Sequence, residues 1–156
     1  MSFCCIAESI TIKLSCITEN INKFIVKKDI SIPKVEDVYV AVVNEYNDVY
    51  KTQDWNAYII NDKDVDLEMV IIVTDGYSKD KITSKFRKKL DVLPKKSYAK
   101  IELIQEDLFE LNNQFKVSFF EGNTMFDKTF LFRKNTINLK ALQAIPLMEA
   151  KGILVK

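Results

Sequence analysis

The sequence predicts a mainly β domain: an antiparallel β-sandwich, immunoglobulin-like in outline, with one or two short helices. Three observations lead there. Short runs in which apolar and polar residues alternate recur between polar turns. Gly122-Asn123 separates two aromatic-rich segments in hairpin register. Stripes at helical spacing are few and short. The alternative architecture is an α+β antiparallel sheet with helices on one face.

Near the N-terminus, Ile10, Ile12, Leu14 and Cys16 alternate with Thr11, Lys13 and Ser15, the period of a half-buried strand. Residues 20–28 then turn irregular and polar. Two readings follow. The stretch is either an edge strand, or residues 1–28 form an N-terminal arm or extraneous extension ahead of a single β-rich domain over residues 29–156.

Beyond Pro33, Val38 to Val43 is rich in β-branched residues and reads as a strand. Val35, Val38, Val42, Tyr46 and Val49 would also fit one helical face. Trp55 to Asn61 is a second strand, with Trp55, Ala57 and Ile59 on one face and Tyr58 and Ile60 on the other. After a polar turn, Leu67, Met69, Ile71 and Val73 alternate along a third strand ending at Asp75-Gly76. These three runs predict an antiparallel meander. Ile82, Phe86 and Leu90 recur every fourth residue and predict a helix or helical turn over residues 78–90, closed off by Pro94. Ala99 to Ile104 is again strand-like.

The strongest local signal is the hairpin. Gly accepts positive φ without a Cβ clash, so Gly122-Asn123 suits a type II′ turn. That register sets Phe119 opposite Phe126 and Phe115 opposite Phe130 on one face. Lys116 with Thr129, and Ser118 with Asp127, fall on the other. Lys128, opposite Val117, breaks the pattern and predicts an edge strand where its stem covers apolar surface. Residues 137–145 predict a short helix capped by Thr136 and stopped by Pro146.

Composition narrows the function. With 156 residues, 47% of them hydrophobic, the chain can bury the core of one domain. Its 23 basic and 22 acidic residues nearly cancel, so no global field draws it to DNA or a membrane. No apolar run approaches the roughly 20 residues that span a bilayer. The absence of histidine removes Ser-His and Cys-His nucleophile pairs and His-ligated zinc. Gly76, Gly122 and Gly152 are isolated, so no Gly-rich phosphate loop exists, and no Gly-x-Ser-x-Gly elbow is present. Neither a cofactor nor enzymatic chemistry is expected. Cys4, Cys5 and Cys16 cannot all pair, which with the poor signal-peptide character of the N-terminus predicts a cytoplasmic protein.

Two charged clusters are the candidate sites. Asp62, Asp64, Asp66 and Glu68 place carboxylates at alternate positions, a pattern suited to a hard cation. The EF-hand spacing fails, because Leu67 and Val73 stand where Gly and Glu are required. A solvated, charge-rich turn explains the same residues. Between Lys79 and Lys100, nine basic residues face only two acidic ones, a local charge of +7, with Tyr77, Phe86 and Tyr98 interleaved. Such a stretch can neutralise phosphates and stack bases. Lys85, Lys88, Lys89 and Lys96 are the residues chosen for RNA contact. The simpler explanation is a solvated basic face.

Several segments together resemble a group of short, uncharacterised bacterial proteins. They include Trp55-Asn56-Ala57-Tyr58-Ile59-Ile60-Asn61, Thr83-Ser84-Lys85-Phe86-Arg87, Leu111-Asn112-Asn113-Gln114-Phe115, Phe126-Asp127-Lys128-Thr129-Phe130 and Ile145-Pro146-Leu147-Met148. The resemblance covers Val26 to Lys156 and implies that residues 1–25 are extraneous to the domain. Members of the group are often labelled phenylalanyl-tRNA synthetase subunit alpha. Class II motifs 2 and 3 both require arginine, and Arg87 and Arg133, the only arginines here, stand in neither motif, so no catalytic residue is carried over. The expectation is a non-enzymatic protein-interaction module that uses an exposed strand edge or an apolar patch. An RNA- or tRNA-associated accessory domain is the alternative, and a synthetase-related protein, by label alone, the third.

Overall fold

The computed structural model describes residues 33–156. The readings of an N-terminal strand, arm or extension and of the three cysteines lie outside those residues. Within them, nine strands form two antiparallel sheets. The first sheet runs in the order β5 (Ser97–Ile104), β2 (Thr52–Asn61), β1 (Val38–Asn47), β9 (Lys151–Val155), β8 (Gln143–Ala144). The second runs β4 (Phe86–Leu93), β3 (Leu67–Tyr77), β6 (Asn112–Glu121), β7 (Thr124–Phe132). First, second and fifth strands against fourth, third, sixth and seventh is an immunoglobulin-like order, with the fourth strand beside the third. β9 and β8 extend the first sheet past β1.

The core lies between the sheets. Val38, Val40 and Val42 of β1 and Trp55, Ala57 and Ile59 of β2 meet Leu67, Val70 and Ile72 of β3 and Phe115, Val117 and Phe119 of β6. β1 is therefore a strand, and the face expected of Trp55, Ala57 and Ile59 is the buried one. The hairpin also forms in the expected register, with Phe119 opposite Phe126, Phe115 opposite Phe130 and Val117 opposite Lys128. Gly122 takes φ +56° and Asn123 stays out of the positive region, as a type II′ turn requires. β7 is an edge strand, as Lys128 implied.

Four expectations are corrected. β1 and β2 pair, but β3 crosses to the other sheet instead of continuing a meander. Fully buried Asn61 holds that corner: its amide donates to the carbonyls of Val65 (2.9 Å), Leu93 (3.2 Å) and Pro94 (2.9 Å), and its Oδ1 accepts from Lys63 N. One buried amide thus ties the β2–β3 corner to the β4–β5 corner.

The helix expected over residues 78–90 is absent; β4 begins at Phe86. A repeat of four is also a multiple of two, so Phe86 and Leu90 share a strand face as readily as a helical one. Lys88, between them on that face, disguised the alternation. In residues 137–145, only Leu139–Ala141 form a 3₁₀ turn, and its cap is Asn138, whose Oδ1 accepts from Lys140 N and Ala141 N, rather than Thr136. A second 3₁₀ turn, Glu106–Glu110, links the sheets between β5 and β6.

The fourth correction concerns which side of β3 faces in. Leu67, Met69, Ile71 and Val73 were expected on one face. A β-bulge between Glu68 and Ile71 adds a residue, and Met69 sits in the left-handed region at φ +47°. One extra residue reverses every side chain beyond it. Val70, Ile72 and Thr74 therefore point inward, while Ile71 and Val73 turn out.

Candidate interaction surface

The two charged clusters are brought together by the fold rather than kept as separate sites. The β2–β3 and β4–β5 turns lie side by side. Lys96 Nζ donates to Asp62 O (2.6 Å) and Asp62 Oδ1 (3.1 Å) and reaches Asp64 Oδ1 at 3.7 Å. The hydrogen bond to Asp62 holds the Lys96 ammonium above the usual lysine range. Asp66 Oδ1 accepts from Lys95 N at 2.8 Å, and Glu68 lies on the strand beyond. Among the described residues, no group of three or more acidic side chains is placed to hold a metal ion. Lys63, between the aspartates, pairs with Glu121 of the hairpin and sits 5.2 Å over the Phe126 ring.

The basic candidates disperse in the same way. Lys89 pairs with Asp91 at 3.0 Å, and Lys88 donates to the carbonyls of Lys100 (2.6 Å) and Ile101 (3.4 Å). Of the four residues chosen for RNA contact, Lys85 alone is exposed with neither an ion pair nor a side-chain hydrogen bond among the described residues. Lys88 and Lys89 stand on opposite faces of β4, opposite Ile72 and Ile71 respectively, and Lys96 lies in the β4–β5 turn.

What the sequence did not reveal is the outer face of the second sheet. The β3 bulge sends apolar side chains there. Cross-strand pairing lays down three successive rows: Val92, Glu68, Phe120 and Met125; then Lys89, Ile71, Ser118 and Asp127; then Arg87, Val73, Lys116 and Thr129. Met69, Val92 and Met125 are each about half exposed, and Ile71 is 43% exposed. The apolar side chains are thus interleaved with charges of both signs: the cations Arg87, Lys89 and Lys116, and the acids Glu68 and Asp127, with Lys89 paired to Asp91. Among the described residues, no segment packs over this face.

The outer face of the first sheet is different. There Ala41, Val43 and Ile60 are covered by Ile145, with Met148 and Ala150 packed alongside. Beside that cover, Tyr58 Oη and Asn56 Nδ2 both donate to Glu45 Oε2, at 2.8 and 3.0 Å. Burial, reinforced by the Glu45 carboxylate, pushes the Tyr58 phenol above the usual tyrosine range.

Three of the four sheet edges are guarded. On β4, Lys88 stands opposite inward-facing Ile72 and spends its ammonium on β5 carbonyls. On β7, Lys128 stands opposite buried Val117, lies 5.1 Å over the Phe130 ring and reaches Val35 O at 3.4 Å. Inward-pointing lysines on edge strands oppose pairing with another chain. β8, at the far edge of the first sheet, has only two residues.

No protein-family model matches the chain, and no curated protein matches it. No helix among the described residues is long and apolar enough to cross a membrane.

Proposed function

We propose that this chain is a non-enzymatic, cytoplasmic protein-interaction module. Its contact surface is the outer face of the second sheet around Met69, Ile71, Val92 and Met125, and its partner is a protein surface carrying apolar side chains and charges of both signs. The observation that supports this most is the pattern of rows: apolar side chains interleaved with Arg87, Lys89 and Lys116 and with Glu68 and Asp127 on a face that no described segment covers. The placement of these charges fixes the register of a complementary partner. The inward lysines on β4 and β7 argue against strand addition to the second sheet as the mode of binding.

The test replaces Ile71 with a photo-crosslinking phenylalanine analogue in the full chain, expressed in its source cells. Position Tyr50, 75% exposed in the β1–β2 turn, is the control. A discrete protein adduct at position 71, absent at position 50 and lost when Arg87→Glu and Lys116→Glu are added, is the expected result. RNA adducts, equal adducts at both positions, or none at position 71 would overturn the reading, the first in favour of an RNA-associated domain.

A further inference from the structure

A cavity of about 190 Å³ opens between the sheets on the β4–β5 side of the sandwich. Thr74, Gly76, Phe86, Glu102, Asn113 and Phe115 are among the residues lining it. Two acidic residues, Asp75 and Glu102, line it, and Glu102 is there because of a second bulge. β5 pairs with β2 through Lys100–Tyr58 and then Glu102–Ala57, leaving Ile101 as an extra residue. Regular alternation would put Ile101 and Glu102 on opposite faces. The bulge instead sets Glu102 on the inward side, opposite fully buried Ala57.

A carboxylate inside a sandwich needs donors, because burying a charge without compensation is costly. Glu102 forms no ion pair among the described residues. Lys88, whose side chain bridges to β5 nearby, is held by the Lys100 and Ile101 carbonyls instead. Burial pushes the Glu102 carboxyl up, and the Thr74 side chain opposes that shift only in part. The remaining lining suits a short aliphatic chain behind a charged head, with Phe86, Leu108 and Phe115 as apolar walls. The volume is ample, since a cavity of about 150 Å³ accepts benzene.

We propose that this cavity binds a primary ammonium group, with the Glu102 carboxylate as its counter-ion and the phenyl rings around its alkyl stem. The ammonium comes either from a free small amine or from the tip of a lysine side chain. This inference is independent of the docking face, which lies on the outer side of the second sheet.

The experiment is a nuclear magnetic resonance titration of the full chain with n-butylammonium, n-butanol and a lysine blocked at both backbone ends. Saturable shifts at the amides of Thr74, Gly76, Glu102 and Asn113 are expected with butylammonium and not with butanol. Glu102→Gln, which keeps the shape and removes the charge, weakens butylammonium binding roughly tenfold or more. Gly76→Ala leaves the charge but adds a methyl 3.2 Å from Thr83 Cγ2 and 3.4 Å from Asn113 Oδ1, and it also weakens binding. Matching shifts from blocked lysine assign the ammonium to a protein side chain, and shifts from butylammonium alone assign it to a free amine. No saturable shift, equal binding of butanol, or undiminished binding to the Gln variant would overturn the proposal.

Discussion

Replacing Gly152 with Ala tests how the C-terminal strand is seated. Gly152 lies opposite Val43 in the β1–β9 ladder. A Cβ there would stand 2.5 Å from Val42 O and 3.1 Å from Val42 C. That is about 1 Å inside the roughly 3.5 Å optimum for non-bonded heavy atoms. The obstacle is backbone, so no rotamer change relieves it, and β9 has to move away from β1. A displacement near 1 Å breaks the ladder hydrogen bonds beside Gly152, at about 1 kcal/mol each. Residual overpacking against Val43 adds about 1 kcal/mol. The expected loss is about 2–4 kcal/mol, out of the 5–15 kcal/mol typical of a whole domain. Urea unfolding followed by Trp55 fluorescence measures it. Gly122→Ala is the contrast: nothing lies within 4 Å, and only the φ of +56° resists a side chain, at about 1–2 kcal/mol. Gly152→Ala costing less than Gly122→Ala would refute the close seating of β9.

Three further outcomes follow from the same contacts. The Glu102 carboxyl is raised by burial, so the folded state holds its proton more tightly than the unfolded state does. Stability from that proton is present below the ordinary glutamate range and is lost as pH rises through the raised value. Glu102→Gln is therefore more stable than the parent at pH 7, and the gap closes as pH falls toward 4; a gap constant with pH in urea unfolding would contradict this. Asn61→Ala strands the carbonyls of Val65, Leu93 and Pro94 and costs about 3 kcal/mol in the same assay. A loss below about 1 kcal/mol would mean that the two corners are held by something else. Lys128→Val removes an inward charge from the β7 edge, and sedimentation velocity should show concentration-dependent association absent from the parent. Unchanged sedimentation would remove the edge-guarding role of Lys128.

The elements that were legible in the sequence are those whose pattern admits one answer. Phe115, Phe119, Phe126 and Phe130 can share a face only if the chain reverses at Gly122-Asn123, and it does. Elsewhere the pattern was degenerate. From Val70 to Val73 every residue is apolar, so either face of β3 could be the buried one, and the Met69 bulge decided between them. Ile82, Phe86 and Leu90 fit two periods, with Lys88 masking the true one. Glu102 was invisible as an inward charge because bulges leave no composition signal. The charged clusters were plain, but their mutual neutralisation depends on two turns far apart in sequence, Asp62 and Lys96, meeting at one corner. Asn61 carries that meeting, and a lone Asn ending a strand gives no sign of it.

The guarded edges and the uncovered face belong to one argument about how a partner docks. A strand added beside β4 must displace the Lys88 ammonium from two carbonyls, and a hydrogen bond to a charged group is worth about 1.5–3 kcal/mol. A strand added beside β7 must lift Lys128 off the Phe130 ring and Val35 O, which leaves its charge against apolar surface. Docking on the outer face of the second sheet breaks neither arrangement. It gains about 25 cal/mol per Å² of apolar area covered, and Met69, Ile71, Val92 and Met125 are already turned outward. Met69 holds its exposed position at a backbone cost of about 1–2 kcal/mol for the left-handed conformation. The same residues in regular alternation from Leu67 would carry no such cost and would turn Ile71 and Val73 inward. Deleting Met69 instead removes the extra residue and leaves Glu68 opposite Phe120 and Ile71 opposite Ser118, so the rest of the face and both edge lysines stay in place. Binding that survived Ile71→Asp, in a chain that still unfolds cooperatively, would move the partner away from this face.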